Sequence, residues 1–260
     1  MDLVESRLQG FAAAPRHPWE RARLALVSRL IARHRLIQPG DVVLDVGCGD
    51  TFVVESLAQR YPTATFYAVD SAFTPDLIAV FRDRLRVSNV SLFASLDEVP
   101  GGREASLVLL MDVLEHVEDD LGLLRNLTGR SYFTSHTRLL ITVPSYERLF
   151  CAHDRFLGHY RRYSMRSLNG VLQAAALTPL EEGHFFTSLV PLRLVQLLRE
   201  RMAGASEVKA EGLASWRSGE GLARAIAQVL EWDGRLGLAL LRLGVPLPGL
   251  SNFAVCRPSA

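Results

Sequence analysis

The stretch Val42-Val43-Leu44-Asp45-Val46-Gly47-Cys48-Gly49-Asp50 is an apolar run that ends abruptly in a glycine turn. Pro39-Gly40 bounds the run on its other side. A short Val- and Leu-rich run with such boundaries predicts a strand buried on both faces, as in a parallel sheet. The two glycines permit a tight turn and a close approach of the backbone to a ligand.

The residues that follow complete a βαβ unit. Residues 51–60 can form a helix, and the β-rich run 64–69 ends at Asp70. An acid at the tip of the second strand, roughly 20 residues after the glycine turn, is placed to accept hydrogen bonds from ribose hydroxyls. Together the strand, turn, helix and acid predict a nucleotide site.

Details of the turn indicate which nucleotide it suits. A dinucleotide site has a third glycine, and Phe52 stands at that position here. The loop instead resembles the first motif, D-x-G-C-G-x-G, of class I S-adenosylmethionine-dependent methyltransferases, with Thr51 where that family commonly has its last glycine. The matching residues are Asp45, Gly47, Cys48 and Gly49.

Two later segments resemble one subgroup of the same family. The predicted strand 105–111 runs into Asp112-Val113-Leu114-Glu115-His116-Val117, which is similar to a D/E-V-L-E-H-V motif. After a predicted strand at 139–143, residues 153–164 are similar to an L-G-H-x-R-R-Y-S segment. The resemblance covers about residues 40–186, with a weaker echo at 248–255.

The resemblance implies an α/β fold, with a Rossmann-like, seven-stranded, mostly parallel sheet and helices on both faces. Residues 180–186 and 253–257 are the expected sixth and seventh strands. We expect one elaborated domain with a helical insertion before the last strand. Its parts are an N-terminal helical segment (1–40), a cofactor-binding core (41–186), a helical insertion or lid (187–248) and the last strand (249–260).

Helical periodicity supports the parts outside the core. An N-terminal helix over 18–37 has an apolar face and an arginine-bearing face, for which solvation is favoured over an anionic partner. The insertion contains predicted helices at 189–202 and 222–243, joined by a polar loop at 204–221. Three interpretations of the insertion are open: a lid over an apolar substrate, an extension of the core or a dimer interface, and a peripheral membrane contact. The arginines of the N-terminal helix face are Arg21, Arg29, Arg33 and Arg35.

The resemblance implies S-adenosyl-L-methionine as the cofactor. The backbone of Gly47 and Gly49 is then expected near its methionine portion, and Asp70 on its ribose. Asp45 is expected to fix the turn or to bind the methionine amine. The remaining candidate cofactor residues are Cys48, Ser71, Ser95, Asp112 and Val113.

Three histidines are candidate catalytic bases, because histidine titrates nearest neutral pH. They are His116, His153 and His159. A base is needed only if the acceptor must lose a proton, and a histidine that only orders a loop is the alternative for each. The candidate substrate-binding residues are Tyr160, Arg161, Arg162 and Tyr163, since arginine forks can clamp an anion beside a tyrosine. For the arginines, pairing with nearby acids is the favoured alternative.

Composition narrows the class of protein. A formal net charge of +1 over 260 residues argues against a dedicated nucleic-acid binder. Three widely spaced cysteines suggest neither a disulfide framework nor a metal site, and they favour a cytoplasmic location. The first residues lack the pattern of a signal peptide, and no apolar stretch is long enough to span a bilayer.

These observations predict a methyltransferase that acts by direct displacement on a small-molecule or lipid- or polyketide-like acceptor. The alternatives are a non-catalytic S-adenosylmethionine-binding partner protein and, less favoured, a nicotinamide-dependent oxidoreductase. The acceptor and the oligomeric state are left open by the sequence.

Overall fold

A computed structural model describes residues 16–203 and 219–259 of the chain. Seven strands form one sheet in the order β3-β2-β1-β4-β5-β7-β6. Neighbouring strands from β3 to β5 are parallel, whereas β7 runs antiparallel to both β5 and β6. The predicted mostly parallel sheet is thereby confirmed. The strands are β1 (Val42–Val46), β2 (Thr65–Val69), β3 (Val90–Phe93), β4 (Leu107–Met111), β5 (Arg138–Pro144), β6 (Leu177–Phe185) and β7 (Ser251–Pro258).

Helices cover both faces of this sheet. Side chains of a strand alternate between faces, so Val43 and Leu44 of β1 enter two different apolar clusters. Both clusters contain side chains from helices as well as strands. The helices are α1 (Pro18–His34), α2 (Phe52–Arg60), α3 (Pro75–Arg84), α4 (Asp120–Thr128), α5 (Ala152–Phe156), α6 (Met165–Ala174), α7 (Leu189–Ala203) and α8 (Glu220–Arg242).

Three of the four arginines on the predicted arginine face of α1, Arg29, Arg33 and Arg35, are exposed, and members of this face also form ion pairs with distant acids. Arg21 pairs with Glu220 at 2.9 Å and Arg29 with Glu231 at 3.1 Å, both on α8. Arg33 pairs with Glu181 of β6 at 2.6 Å. The predicted solvated face is thus confirmed for these three arginines, whereas the acidic partners could not be predicted, because helical spacing shows which side chains share a face and not which distant element packs beside it.

The two helices before β7 occupy different surroundings. α8 packs on α1 and β6, and a Cβ placed on its Gly234 would lie 2.3 Å from Leu26 Cδ1 of α1. α7 leaves Leu192 and Leu198 exposed but buries Arg193. Of the polar loop predicted at 204–221, residues 204–218 lie outside the described part of the chain. Among the described helices, none is both long and apolar enough to cross a bilayer.

Candidate functional site

A cavity of about 1090 Å³ opens at the carboxyl ends of β1, β2 and β4. Ligands of open α/β sheets bind at this edge. Its wall also includes the start of α1 and residues of α5 and α7. Every candidate cofactor residue and all three candidate histidines lie on this wall, from segments spread between residues 45 and 159.

The glycine loop is fixed through its backbone. Gly47 and Gly49 have φ angles of 71° and 57°, in the left-handed region that favours glycine. The amides of Gly47 and Cys48 donate to the carbonyl of Val69 at 2.8 and 3.1 Å. A Cβ on Gly47 would lie 2.5 Å from Val113 Cγ2. The loop is therefore held against β2 and against the segment after β4, with room for hydrogen alone at position 47.

Thr51 occupies the position where the resembling family commonly has glycine. It precedes α2 with a φ of 67°, so the chain adopts the conformation that glycine accommodates without penalty. A residue with a Cβ pays about 1–2 kcal/mol there. The departure from the motif thus changes the residue and keeps the backbone path.

Asp70 joins the glycine loop to the second strand. Its Oδ2 accepts a hydrogen bond from the amide of Gly49 at 2.9 Å, and its Oδ1 accepts one from Ala72 at 3.0 Å. A carboxylate has about four acceptor sites, and these two bonds hold both of its oxygens in a fixed orientation. Asp70 therefore shapes the loop from the same position at which it faces the cavity.

Asp45 is buried on the cavity wall, and within the described residues neither of its carboxyl oxygens has a hydrogen-bond partner. Burial raises the pKa of Asp45 to about 7, against the opposing charge of Arg23 and with a contribution from Asp70. Of its two expected roles, fixing the turn by a hydrogen bond is therefore not observed. The carboxyl group is placed to receive a donor from the cavity.

Asp112 is already bound by the protein. Thr142 donates to its Oδ1 at 2.8 Å, and its Oδ2 forms an ion pair with Arg23 of α1. The Arg23 guanidinium lies 4.3 Å above the ring of Trp19. Asp112 thus ties the start of α1 to the end of β4 beside the cavity, as a loop-ordering group.

A second part of the wall is organised by the buried carboxylate of Asp154. Its Oδ1 accepts from Arg162 at 2.8 Å and contacts His159 Nδ1 at 3.1 Å. Its Oδ2 accepts from Arg193 at 2.7 Å and from the amide of Cys151 at 2.8 Å. Burial favours the neutral acid, but the hydrogen bonds from His159 and Arg162 and the two arginine charges outweigh burial and hold the pKa of Asp154 well below its usual range. The ionised carboxylate of Asp154 thus connects three separate segments of the chain.

His116, His159 and Glu115 form a compact group beside this centre. The two imidazole rings meet edge to face with centroids 4.5 Å apart. The carbonyl of Glu115 accepts from the amide of Tyr160 at 2.7 Å, which holds the two segments together. Glu115 Oε2 is buried and has no hydrogen-bond partner in the described chain, and burial raises the pKa of Glu115 to about 8.

His153 differs from the other two histidines in its electrostatics. Burial, followed by the charge of Arg193, lowers the pKa of His153 to about 4. It is therefore neutral at pH 7 and a weak base. Its position on the wall alone does not equip it to take a proton from a hydroxyl.

The four candidate substrate residues divide into one wall residue and three others. Arg162 lies on the cavity wall, but it is committed to Asp154 and to the carbonyl of Ser145 at 3.1 Å. Tyr163 donates to Asp120 Oδ2 at 2.6 Å, and Arg161 pairs with Asp120 at 2.8 Å. Tyr160 is 56% exposed and, like Arg161 and Tyr163, lies off the wall. The contacts favour the structural alternative, since Asp120 and Asp154 hold this segment in place.

Two buried arginines on the wall are absent from the candidates that the sequence provided. Arg23 and Arg193 come from α1 and α7, far from any recognised motif. The available signal was a charge within an apolar helical face. Each arginine is buried beside apolar neighbours and pairs with an acid of the core.

Comparisons with known proteins agree with this geometry. Residues 19–182 match a family model described as a methyltransferase domain. A malonyl-[acyl-carrier protein] O-methyltransferase of Acetivibrio thermocellus is 46% identical over 55 residues, covering 21% of this chain and 18% of the relative. A ubiquinone biosynthesis O-methyltransferase of Xanthomonas campestris pv. campestris (strain B100) is 34% identical over 118 residues, covering 43% and 45%. The chain thus matches less than half the length of these curated relatives.

Among solved structures, the plantazolicin methyltransferase BpumL in complex with SAH has a TM-score of 0.54, and the alignment covers 94% of this chain and 85% of that one. At 14% identity this likeness concerns the fold. The family match extends over more than half of the chain and includes the glycine loop, Asp70 and the Asp112–Val117 segment. The chain belongs to the methyltransferase-domain family.

Proposed function

We propose that this chain is an S-adenosylmethionine-dependent methyltransferase that methylates a hydroxyl oxygen of a small-molecule or lipid-like acceptor. The observation that carries the proposal is a single cavity with the glycine loop and Asp70 on one side and the pair His116 and His159 on its wall. Pockets for one small ligand typically measure about 300–1,000 Å³. A cavity of about 1090 Å³ has room for a cofactor and an acceptor together.

The cofactor is proposed to lie along the strand edge. Asp70 receives the ribose hydroxyls, and the exposed backbone of Gly47 and Gly49 lets the methionine portion approach. The ammonium group of that portion meets Asp45, whose buried carboxyl group has no partner among the described residues. A cation at that point replaces the hydrogen bonds that the carboxyl group lost on burial.

The acceptor is proposed to present a hydroxyl to His116 and His159. Both curated relatives are named O-methyltransferases, which supports oxygen as the acceptor atom. His159 is oriented by Asp154, whereas His153 is a weak base with a pKa of about 4. Activation of the acceptor is therefore assigned to His116 and His159 rather than to His153.

The reaction is an in-line displacement at the sulfonium methyl group. The acceptor oxygen would form the new O–C bond as the S–C bond breaks to leave a neutral thioether, and the hydroxyl proton would leave to solvent. Because the cofactor carries an activated methyl group, the protein supplies alignment and electrostatics. Holding the two reactants in line can account for about 7–11 kcal/mol of barrier lowering.

The test compares cofactor binding and methyl transfer in two variants. Asp70→Ala is expected to weaken S-adenosylhomocysteine binding by about tenfold or more, measured by calorimetry, because it removes the ribose acceptor and the bond to Gly49. The matched control is Asp76→Ala, an exposed acid at the start of α3. Unchanged binding in Asp70→Ala contradicts the ribose role of Asp70, whereas tighter binding of NADH than of S-adenosylhomocysteine contradicts the proposed cofactor.

Methyl transfer is measured with labelled S-adenosylmethionine and an extract of the producing cell, separated into organic, small polar and macromolecular fractions. Label in the organic or small polar fraction supports the proposed acceptor class. Label confined to macromolecules contradicts it. Cofactor binding without any enzyme-dependent label favours the non-catalytic partner instead.

A further inference from the structure

Glu115, His116 and His159 bring one carboxylate and two imidazoles to the same point. One ligand atom from each lies within 4.8 Å of the corresponding atoms of the other two. All three residues line the cavity. Two imidazole nitrogens and one carboxylate oxygen are a common donor set for divalent transition metals, including catalytic zinc.

The carboxyl group of Glu115 provides independent evidence that something is to be bound here. The residue is 1% exposed, and its Oε2 has no hydrogen-bond partner in the described part of the chain. An unsatisfied buried polar atom costs about 1–3 kcal/mol, and more for a charged group. A bound cation satisfies this oxygen and neutralises the carboxylate. Relief of the burial cost therefore contributes to the affinity of the site for the cation.

The contacts of His159 orient its ring so that it can act as a metal ligand. Its Nδ1 lies 3.1 Å from Asp154 Oδ1, which also accepts from Arg162, while Asp154 Oδ2 accepts from Arg193. Because these arginines can only donate, the Asp154 oxygens act as acceptors, and a proton on His159 Nδ1 leaves Nε2 for a ligand. A carboxylate behind a histidine is the usual arrangement around metal-bound imidazoles.

The nearby Asp112 is unsuited as a fourth ligand, because Thr142 and Arg23 occupy its oxygens. Three protein ligands therefore face the cavity. Catalytic metal sites typically have three protein ligands and one position open to water or substrate. The arrangement matches a catalytic site better than a closed structural one.

We propose that Glu115, His116 and His159 bind a divalent transition metal ion of the Zn²⁺ or Mn²⁺ type, whose open position takes the acceptor hydroxyl. The role in catalysis rests on the proposed methyl transfer, whereas the binding site itself does not. A bound cation lowers the pKa of a coordinated hydroxyl, as it lowers that of water from 15.7 to about 7 in the best case. With an ion bound there, the acceptor hydroxyl would lose its proton to solvent, and its oxygen would form a bond to the methyl carbon as the S–C bond breaks and a neutral thioether leaves. No oxidant or reductant is required.

The first test is metal binding by the chelator-treated, untagged full-length protein. Titration with Co²⁺ is followed by visible d–d absorption, and titration with Zn²⁺ by calorimetry. One equivalent is expected to bind. Glu115→Gln and His159→Gln are expected to lower the affinity by about 10- to 100-fold or more. His153→Gln is the matched control, because this histidine lies on the same wall outside the cluster.

Several results overturn the site. These are the absence of stoichiometric binding in the wild type, full affinity in both cluster variants, and an equal loss in His153→Gln. A thiolate charge-transfer band in the Co²⁺ spectrum also overturns it, because the ligand is then a cysteine. Should the variants fail to fold, imidazole NMR signals of the wild-type protein are followed during Zn²⁺ addition. Selective shifts of His116 and His159 support the site, and shifts confined to other histidines contradict it.

Activity then separates the site from the proposed function. Transfer that is lost on chelation and restored by Zn²⁺ or Mn²⁺ supports the metal role. Transfer that is unchanged in metal-free protein overturns the metal role and leaves the methyltransferase proposal intact. Stoichiometric metal binding at the cluster without transfer under any condition contradicts the proposed function and leaves the binding site intact.

Discussion

The two sides of the cavity are built in different ways. The glycine loop and Asp70 form a cofactor edge that is held together by hydrogen bonds from backbone amides, over a short span that begins with β1 and ends just after β2. The side around Asp154, which we call the Asp154 centre, is assembled from side chains of α5, α7 and the segment leading to α6. The cofactor edge depends on local backbone conformation, and the Asp154 centre depends on ion pairs between residues that are far apart in the sequence.

This difference predicts different responses to substitution. A backbone loop fails when a side chain no longer fits its conformation. A buried charge centre fails when one sign of charge is left uncompensated, since breaking a buried pair costs about 3–5 kcal/mol. The four predictions below run from the largest expected effect to the smallest.

Asp154→Asn is expected to have the largest effect on stability. It leaves the guanidinium groups of Arg162 and Arg193 buried without their shared carboxylate. We expect a loss of about 3–5 kcal/mol in the free energy of unfolding, measured by urea denaturation. The control is Asp97→Asn, which removes a mostly exposed partner of Arg130 and is expected to cost under about 1 kcal/mol. Equal costs in the two variants would show that the Asp154 centre is not the charge-dependent side.

Gly47→Ala tests the cofactor edge in the same assay. The new Cβ meets Val113 at 2.5 Å and adopts a φ of 71°, so we expect a cost of about 1–3 kcal/mol and at least tenfold weaker S-adenosylhomocysteine binding. Gly40→Ala separates the two causes, because Gly40 has a φ of 84° and nothing within 4 Å of an added Cβ. An equal cost at both positions would show that backbone strain alone, and not the contact with Val113, explains the effect at Gly47.

The pH dependence of the free energy of unfolding tests the charges around the Asp154 centre. Since the folded chain holds the pKa of His153 at about 4, below its unfolded value of 6.5, the unfolded chain binds more protons between these values. Stability is therefore expected to fall as the pH drops from 7 to 4. The wild type should lose about 2 kcal/mol more than His153→Gln over this range. Parallel stability curves for the two proteins would contradict a depressed pKa.

Thr51→Gly is expected to have the smallest effect and the opposite sign. It removes about 1 kcal/mol of strain at a φ of 67° but adds freedom to the unfolded chain, so a net gain of about 0.5 kcal/mol is expected. Thr74→Gly is the control. Thr74 caps α3 at a φ of −103°, so its backbone holds no strain that glycine could relieve. That variant should lose a few tenths of a kcal/mol, visible as a lower melting temperature. A destabilised Thr51→Gly would mean that its buried side chain matters more than its backbone angle.

The strand at 42–46, the glycine turn and the acid at 70 could be predicted from the sequence, because apolar runs and glycines act through local backbone geometry. The bounds of β6 were less accurate, since Leu177–Phe185 begins three residues before the predicted strand at 180. Its polar residues gain their strand conformation from pairing with β7, and sequence periodicity does not show that pairing. The acidic partners of the α1 arginines could not be predicted for the same reason, because they lie on α8 and β6.

The sequence by itself determined the first βαβ unit, the family and the edge of the sheet where the cavity lies, because these follow from local backbone preferences and contiguous motifs. Only the tertiary structure decided which charges meet. It brought Arg23 to Asp112, and Arg162 and Arg193 to Asp154. It also placed Glu115 and His116 beside His159. Such contacts depend on how distant segments pack, and burial then fixes which of these groups are charged and which are left to bind a ligand.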